Sequence, residues 1–284
     1  SPFMVGHPSV SRNWFLLQAI IFAICLGMVA SLFLYPTFGL HAFWDVLIPI
    51  APAILVLFPG FWRNICPVAT ISQLPRHLRI SKRKKMSVSA HGWAVCVGVI
   101  LLLLIIPFRH TYFDLNGPAT ATFLIVATLL AIGLSTWFDG KSGWCAGLCP
   151  IHQVEKLYGQ RPAMSFHNAH CATCVTCVNG CPDSTPAPSL HLGGNSWPRR
   201  AAAFGLIGCF PGYIWGWFHV QDYAVFGEGL RNIIGTYTPS IAGGVSTLIV
   251  YGLLIRLVSL QQRRIIDRLF AAAAISCYYW FRLP

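Results

Sequence analysis

Residues 91–108 read HGWAVCVGVILLLLIIPF, eighteen positions without Asp, Glu, Lys or Arg. A stretch of this length and character matches the roughly 20 apolar residues that cross a hydrocarbon core. Working outward, five more stretches share it: 14–35, 42–61, 119–138, 201–218 and 241–260. The whole chain agrees, with 284 residues, 55% hydrophobic and only 10% charged, at a mean hydropathy of +0.61. A soluble domain carries about 25% charged residues. The expected fold class is an all-α polytopic membrane protein with about six transmembrane helices. Pro49, Pro52 and Pro59 predict a bend in the second span. Asp45 and Arg256, each near an end, are the charges inside the spans.

The formal net charge of +12 follows membrane side rather than forming a nucleic-acid face. With the N-terminus inside, the inner segments hold Arg12, the cluster from Arg63 to Lys85, Lys141, Lys156, Arg161, Arg199, Arg200 and the C-terminal arginines. The outer loops keep Arg109 and Arg231, so eighteen of the twenty basic residues lie on one side. The positive-inside rule then predicts both termini in the cytoplasm of a multi-pass protein of the bacterial inner membrane. The run SKRKK at 81–85 fits the same rule and suits anionic lipid. Residues 265–284 mix basic and apolar character and end in CYYWFRLP, which predicts an interfacial helix with aromatic anchors. The first apolar run is long enough to span and lacks a small-residue cleavage site, so it reads as a helix rather than a signal peptide.

Seven of the eleven cysteines fall in the positively charged loops, which favours reduced thiolates over a disulfide framework. The densest run is CATCVTCVNGCP at 171–182. Its spacing, Cys171-x2-Cys174-x2-Cys177-x3-Cys181-Pro182, is the bacterial ferredoxin pattern for a 4Fe–4S cluster. Thiolates suit iron–sulfur chemistry because they are soft, anionic ligands. A zinc knuckle is the competing reading, but zinc sites usually separate two cysteine pairs by a longer loop. Cys25, Cys96, Cys209 and Cys277 read as small buried residues. The expected organisation is a four-helix membrane region (1–138), a cytoplasmic iron–sulfur loop domain (139–200), and two further helices with the interfacial segment (201–284).

Two inner loops begin alike: FWRNICPVATISQL (61–74) after the second span and GWCAGLCPIHQVEKL (143–157) after the fourth. Aligned on Cys-Pro, Cys66 matches Cys149 and Cys145 falls against Trp62. Trp14 and Trp93 open the first span of each pair. Spans 1–2 and 3–4 therefore read as two hairpins related by an axis along the membrane normal, which would bring Cys66 and Cys149 together. Coincidence between two amphipathic loop starts is the competing account.

Paired Cys-Pro loops followed by a ferredoxin motif resemble the membrane polyferredoxin family, which includes NapH-type quinol-dehydrogenase subunits, the NosR C-terminal part and CcoG/FixG-like proteins. The resemblance covers roughly 40–190. It implies cytoplasmic-side iron–sulfur clusters, a quinol pool or partner subunits as redox partners, and the Cys-Pro cysteines as ligands. The chain departs from the family pattern in having Trp62 in place of one cysteine and a single ferredoxin run. Two clusters would need eight thiolates; Cys66, Cys145, Cys149, Cys171, Cys174, Cys177 and Cys181 supply seven. One cluster would take Cys171, Cys174 and Cys177 with Cys66 or Cys149. A second would take Cys181 with the remainder, completed by His152, His167, His170 or an open position. A single cluster with structural cysteines is equally compatible.

His41, His110 and His219 fall at the outer span ends, with Asp45, Asp114 and Asp222 three or four residues further on. Helical spacing would set each carboxylate beside its histidine. Such pairs suit quinol protons or axial haem ligation; polar residues marking the interface are the plainer account. Haem is disfavoured, since no paired ligands stand within the spans. The sequence carries no dinucleotide fingerprint and no Walker loop, which argues against a self-contained NAD(P)H enzyme. The expected function is a membrane iron–sulfur electron-transfer subunit working with partner subunits and a quinone. An assembly or maturation factor and a structural accessory subunit are the alternatives.

Overall fold

The structure is a computed structural model describing residues 8–139, 141, 143–159, 162–164, 166, 169, 196–223 and 227–283. Among these residues seven long helices carry the fold: α1 (Pro8–Leu34), α2 (Pro36–Leu57), α3 (Val88–Phe113), α4 (Gly117–Trp137), α5 (Trp197–Trp217), α6 (Ile233–Leu257) and α7 (Leu260–Arg282). No strand forms among the described residues, and Lys84 and Phe138 make an isolated bridge. All of the long helices except α5 and α7 are long and apolar enough to cross a membrane.

Local chemistry starts and stops these helices. Ser87 accepts a hydrogen bond from the Ala90 amide at 3.2 Å, and Asn116 accepts from Ala119 at 2.9 Å, capping α3 and α4. Each satisfies an amide that lacks an intrahelical partner. The α2 helix ends where Phe58 precedes Pro59 and turns to φ −138°; the proline ring disfavours helical backbone at the residue before it. The predicted bend is therefore a full break at Pro59, while Pro52 is accommodated inside α2.

The expected span 201–218 is helical within α5, and it is the centre of the molecule. Ala203 and Leu206 are fully buried, and Ile207, Phe210 and Trp217 nearly so, against α3, α6 and α7. A helix wrapped by protein has little need of strong apolarity, which explains why α5 is built from Gly and Ala. A Cβ on Gly212 would lie 2.0 Å from the Gly243 carbonyl oxygen, so α5 and α6 touch backbone to backbone. Small residues at that contact are the usual means of close packing between membrane helices. Tyr213 donates to the Leu103 carbonyl at 2.5 Å and ties α5 to α3.

One expectation is corrected by α7. The segment expected to lie in the interface stands upright beside α5. Near its start, Tyr251 of α6 donates to buried Asp267 at 2.7 Å. Near its end, Tyr278 stacks on Trp217, Tyr279 donates to the Pro49 carbonyl at 2.8 Å, and Arg282 pairs with Asp45. At α1's start Trp14 packs on Phe61, at the far end of α2 from Asp45. Residues 14 and 282 therefore lie at opposite ends of the bundle. The polar residues of Gln261–Arg268 masked this in the sequence. Twenty-three residues of helix reach about 34 Å, enough for a hydrocarbon core of about 30 Å.

Two outcomes follow. Protease sites placed after residue 283 and within 78–85 should be cut from opposite sides of sealed vesicles; cutting of both from one side would mean that α7 does not cross. Gly212→Leu should force α5 from α6 and cost at least the 1–3 kcal/mol of an overpacked core, read as a lower melting temperature in detergent.

Candidate functional site

The two Cys-Pro loops share one backbone solution. Cys66 ends the helix Pro59–Ile65 and opens the helix Pro67–Ile71, with φ −56° and ψ 117°. Cys149 ends a π-helical turn, Trp144–Leu148, and opens the helix Pro150–Tyr158, with φ −64° and ψ 117°. The following proline imposes the extended ψ in each case. The Cys66 amide bonds the Trp62 carbonyl at 2.9 Å, four residues back. The Cys149 amide bonds the Trp144 carbonyl at 2.8 Å, five residues back. The second loop thus carries one extra residue, so Trp144, not Cys145, takes the part of Trp62. Cys145 sits in that π-turn, a distortion often found at functional sites.

Cys66, Cys145 and Cys149 meet in one packed cluster with Trp144, Ala69 and Ala131. No side-chain hydrogen bond caps either short helix. Even so, the amides of Val68 and Ala69 face Cys66, and those of Ile151 and His152 face Cys149, so each pair favours the thiolate. Burial wins over them without a metal: it pushes the Cys66 thiol up, and the Cys149 thiol up to about 12 with Cys66 adding to the shift. A bound metal reverses that balance by deprotonating a coordinating thiol outright.

Beneath the cysteines runs a buried ion network that the sequence did not announce. Arg63 pairs with Glu155, joining the two loops, and Glu155 also accepts a hydrogen bond from His152 Nδ1 at 2.9 Å. Burial works against the Glu155 carboxylate, but His152 and Arg63 hold it below its ordinary range; burial pulls His152 below its ordinary value. Lys141 donates to the Arg63 carbonyl at 3.2 Å. Burial, with Arg199 and Arg63 nearby, pulls Lys156 down to about 8. The polar spacing of 152–156 in an otherwise apolar loop was the available signal.

The approach to the ferredoxin run is anchored here too. Phe166 packs among Trp14, Phe58 and Phe61. The Ala169 amide donates to Asn64 Oδ1 at 3.0 Å, joining the residue two before Cys171 to the residue two before Cys66. Cys171, Cys174, Cys177, Cys181, His167 and His170 lie outside the described residues. Among those described, no group of three or more His, Cys, Asp or Glu side chains is arranged to hold a metal ion. Cys66, Cys145 and Cys149, two of them on matched turns, pack in one cluster beside buried cations but do not by themselves form a metal site. Any complete set must draw further ligands from outside these residues.

At the opposite face the expected histidine pairs form in one case of three. His41 Nδ1 meets Asp45 at 3.0 Å. His110 instead meets Asp222 at 3.0 Å, because the π-helical turn Arg109–Phe113 swings Asp114 onto Arg109, at 2.6 Å. His219 bonds the Trp215 carbonyl at 2.7 Å, since α5 has ended before Asp222 could come alongside. Burial pushes the Asp114 carboxyl above its ordinary range despite Arg109. The three histidines do not form one site: His41 is exposed, whereas His110 packs against Trp217.

No family model, curated protein or solved structure matches this chain.

The Arg63–Glu155 pair carries the prediction. Glu155→Leu alone should cost about 3–5 kcal/mol of stability by stranding a buried cation. Adding Arg63→Met should recover most of that loss, measured by denaturation in detergent. A double variant no better than the single would mean that the two residues act independently.

Proposed function

We propose that the protein is a membrane-bound iron–sulfur electron-transfer subunit, relaying electrons between a quinol pool or partner subunit and a redox enzyme. The observation that carries this reading is the hydrogen bond from Ala169 to Asn64. It brings the entry to a four-cysteine run with ferredoxin spacing beside the turn that presents Cys66, in a site shared with Cys145 and Cys149. On this reading Cys171, Cys174 and Cys177 hold a 4Fe–4S centre, completed by a Cys-Pro thiolate; Cys181 and the remaining thiols are the ligands for any second centre. The bound cluster supplies one-electron chemistry. This chain's own residues shield it from water, neutralise its charge and fix its position through Arg63 and Glu155. On this reading the cysteine face, with its basic loops, faces the cytoplasm of a bacterial inner membrane.

Iron per protein and low-temperature EPR of the reduced protein test this reading. Cys174→Ser should remove the signal. Cys66→Ala should lose close to one cluster's iron while the protein still inserts in the membrane. Zinc in place of iron in the wild type, or a signal unmoved by Cys174→Ser, would overturn the reading; unchanged iron in Cys66→Ala would leave Cys66 a packing residue.

A further inference from the structure

Beside the cysteine cluster two further cations, Arg199 and Lys156, are buried. Arg199, 6% exposed, donates from a terminal guanidinium nitrogen to His91 Nδ1 at 3.1 Å. The His91 ring faces the backbone of Ala146, the residue after Cys145. Lys156, also 6% exposed, is close enough to feel Arg199. The Arg199 Nε, the His152 Nε2 and the Ser196 hydroxyl are buried without a hydrogen-bond partner.

Leaving such groups unanswered is expensive: each buried orphan costs about 1–3 kcal/mol, and an uncompensated buried charge more. Among the described residues the carboxylate nearest Lys156 is Glu155, and its two oxygens are already engaged by Arg63 and His152. A neutral ligand would leave the charges standing. An anion of low mobility, seated at the cysteine turns, would answer them. Every thiolate ligand adds a negative charge, so a four-thiolate iron–sulfur centre is a net anion and becomes more so when reduced.

We propose that Arg199, held by His91 against the Cys145–Cys149 segment, acts with Lys156 as the electrostatic partner of the iron–sulfur centre and raises its reduction potential. The inference rests on the reading of the site given under Proposed function. Net charge near a cluster is one of the determinants of its potential. A fixed cation favours the reduced, more negative state, so its removal makes the centre harder to reduce. Neither residue is a ligand; both act through space.

Anaerobic potentiometric titration followed by EPR tests this in the full-length, iron-loaded protein in detergent. In Arg199→Gln and in Lys156→Gln, iron per protein should equal that of the wild type. At the wild-type midpoint the ratio of reduced to oxidised centre should fall by about tenfold, the scale of one unit charge at protein dielectric. Arg199→Lys should stay close to wild type. If Arg199→Gln does not fold, Lys156→Gln carries the test alone. An unmoved midpoint with iron retained would overturn the proposal while leaving the iron–sulfur reading intact. A wild type without iron or an EPR signal would overturn both.

Discussion

Pro67 and Pro150 impose one steric demand on which the architecture of the cysteine face depends. A proline disfavours helical backbone at the residue before it, and in both loops that residue is a cysteine at ψ 117°. Each hairpin must therefore end its descending run at a cysteine and start a short new helix immediately after it. The thiol is left at the start of a helix, facing amides that lack partners within it. Neither Cys66 nor Cys149 could present its sulfur this way from inside a continuous helix. What differs is the approach: an α-turn from Trp62 in one loop and a wider π-turn from Trp144 in the other. The extra residue makes room for Cys145, so the asymmetry between the loops adds a thiol without disturbing the matched turns.

Two turns of equal geometry do not meet by themselves. Arg63 and Glu155 lie ninety-two residues apart and belong to different hairpins, and their pairing locks the loops in register. Buried pairs of this kind add little net stability over a hydrophobic contact, but are costly to break from one side. Their contribution here is positional. The same logic applies at Asn64, whose side chain accepts from Ala169 while its carbonyl accepts from Gln18 at 2.8 Å. One residue thus binds the first helix, the first cysteine turn and the entry to the ferredoxin run.

Much of this was legible in the sequence, for reasons specific to each feature. Membrane helices announce themselves because lipid tolerates few charges, and α1 to α4 and α6 were read from that alone. The Cys-Pro repeat was legible because both loops carry the same dipeptide at the same place after a span, although Pro52, Pro107, Pro211 and Pro239 stay inside helices. The histidine pairs were only partly legible: i, i+4 spacing assumes an α-helical turn, and the π-turn at Arg109–Phe113 gave Asp114 to Arg109 instead. The upright α7 was hidden because its first turns are polar and its partners, Trp217 and Asp45, lie far away in the chain. No local pattern could have disclosed the bond between Arg199 and His91, which are 108 residues apart.

The two ends of the bundle both bury arginine, and they balance it differently. At the histidine face Arg109, 6% exposed, is answered by Asp114 and, at 3.7 Å, by Asp45. It also lies over the indole rings of Trp44 and Trp217 at 4.6 and 5.5 Å. Carboxylates and aromatic faces together neutralise a cation withdrawn from water, so that end is electrostatically complete. At the cysteine face Arg199 has a neutral imidazole for a partner and Lys156 shares a carboxylate already in use. Among the described residues, the chain thus closes one site with its own acidic side chains and leaves the other short of negative charge. The shortfall lies where the thiols gather.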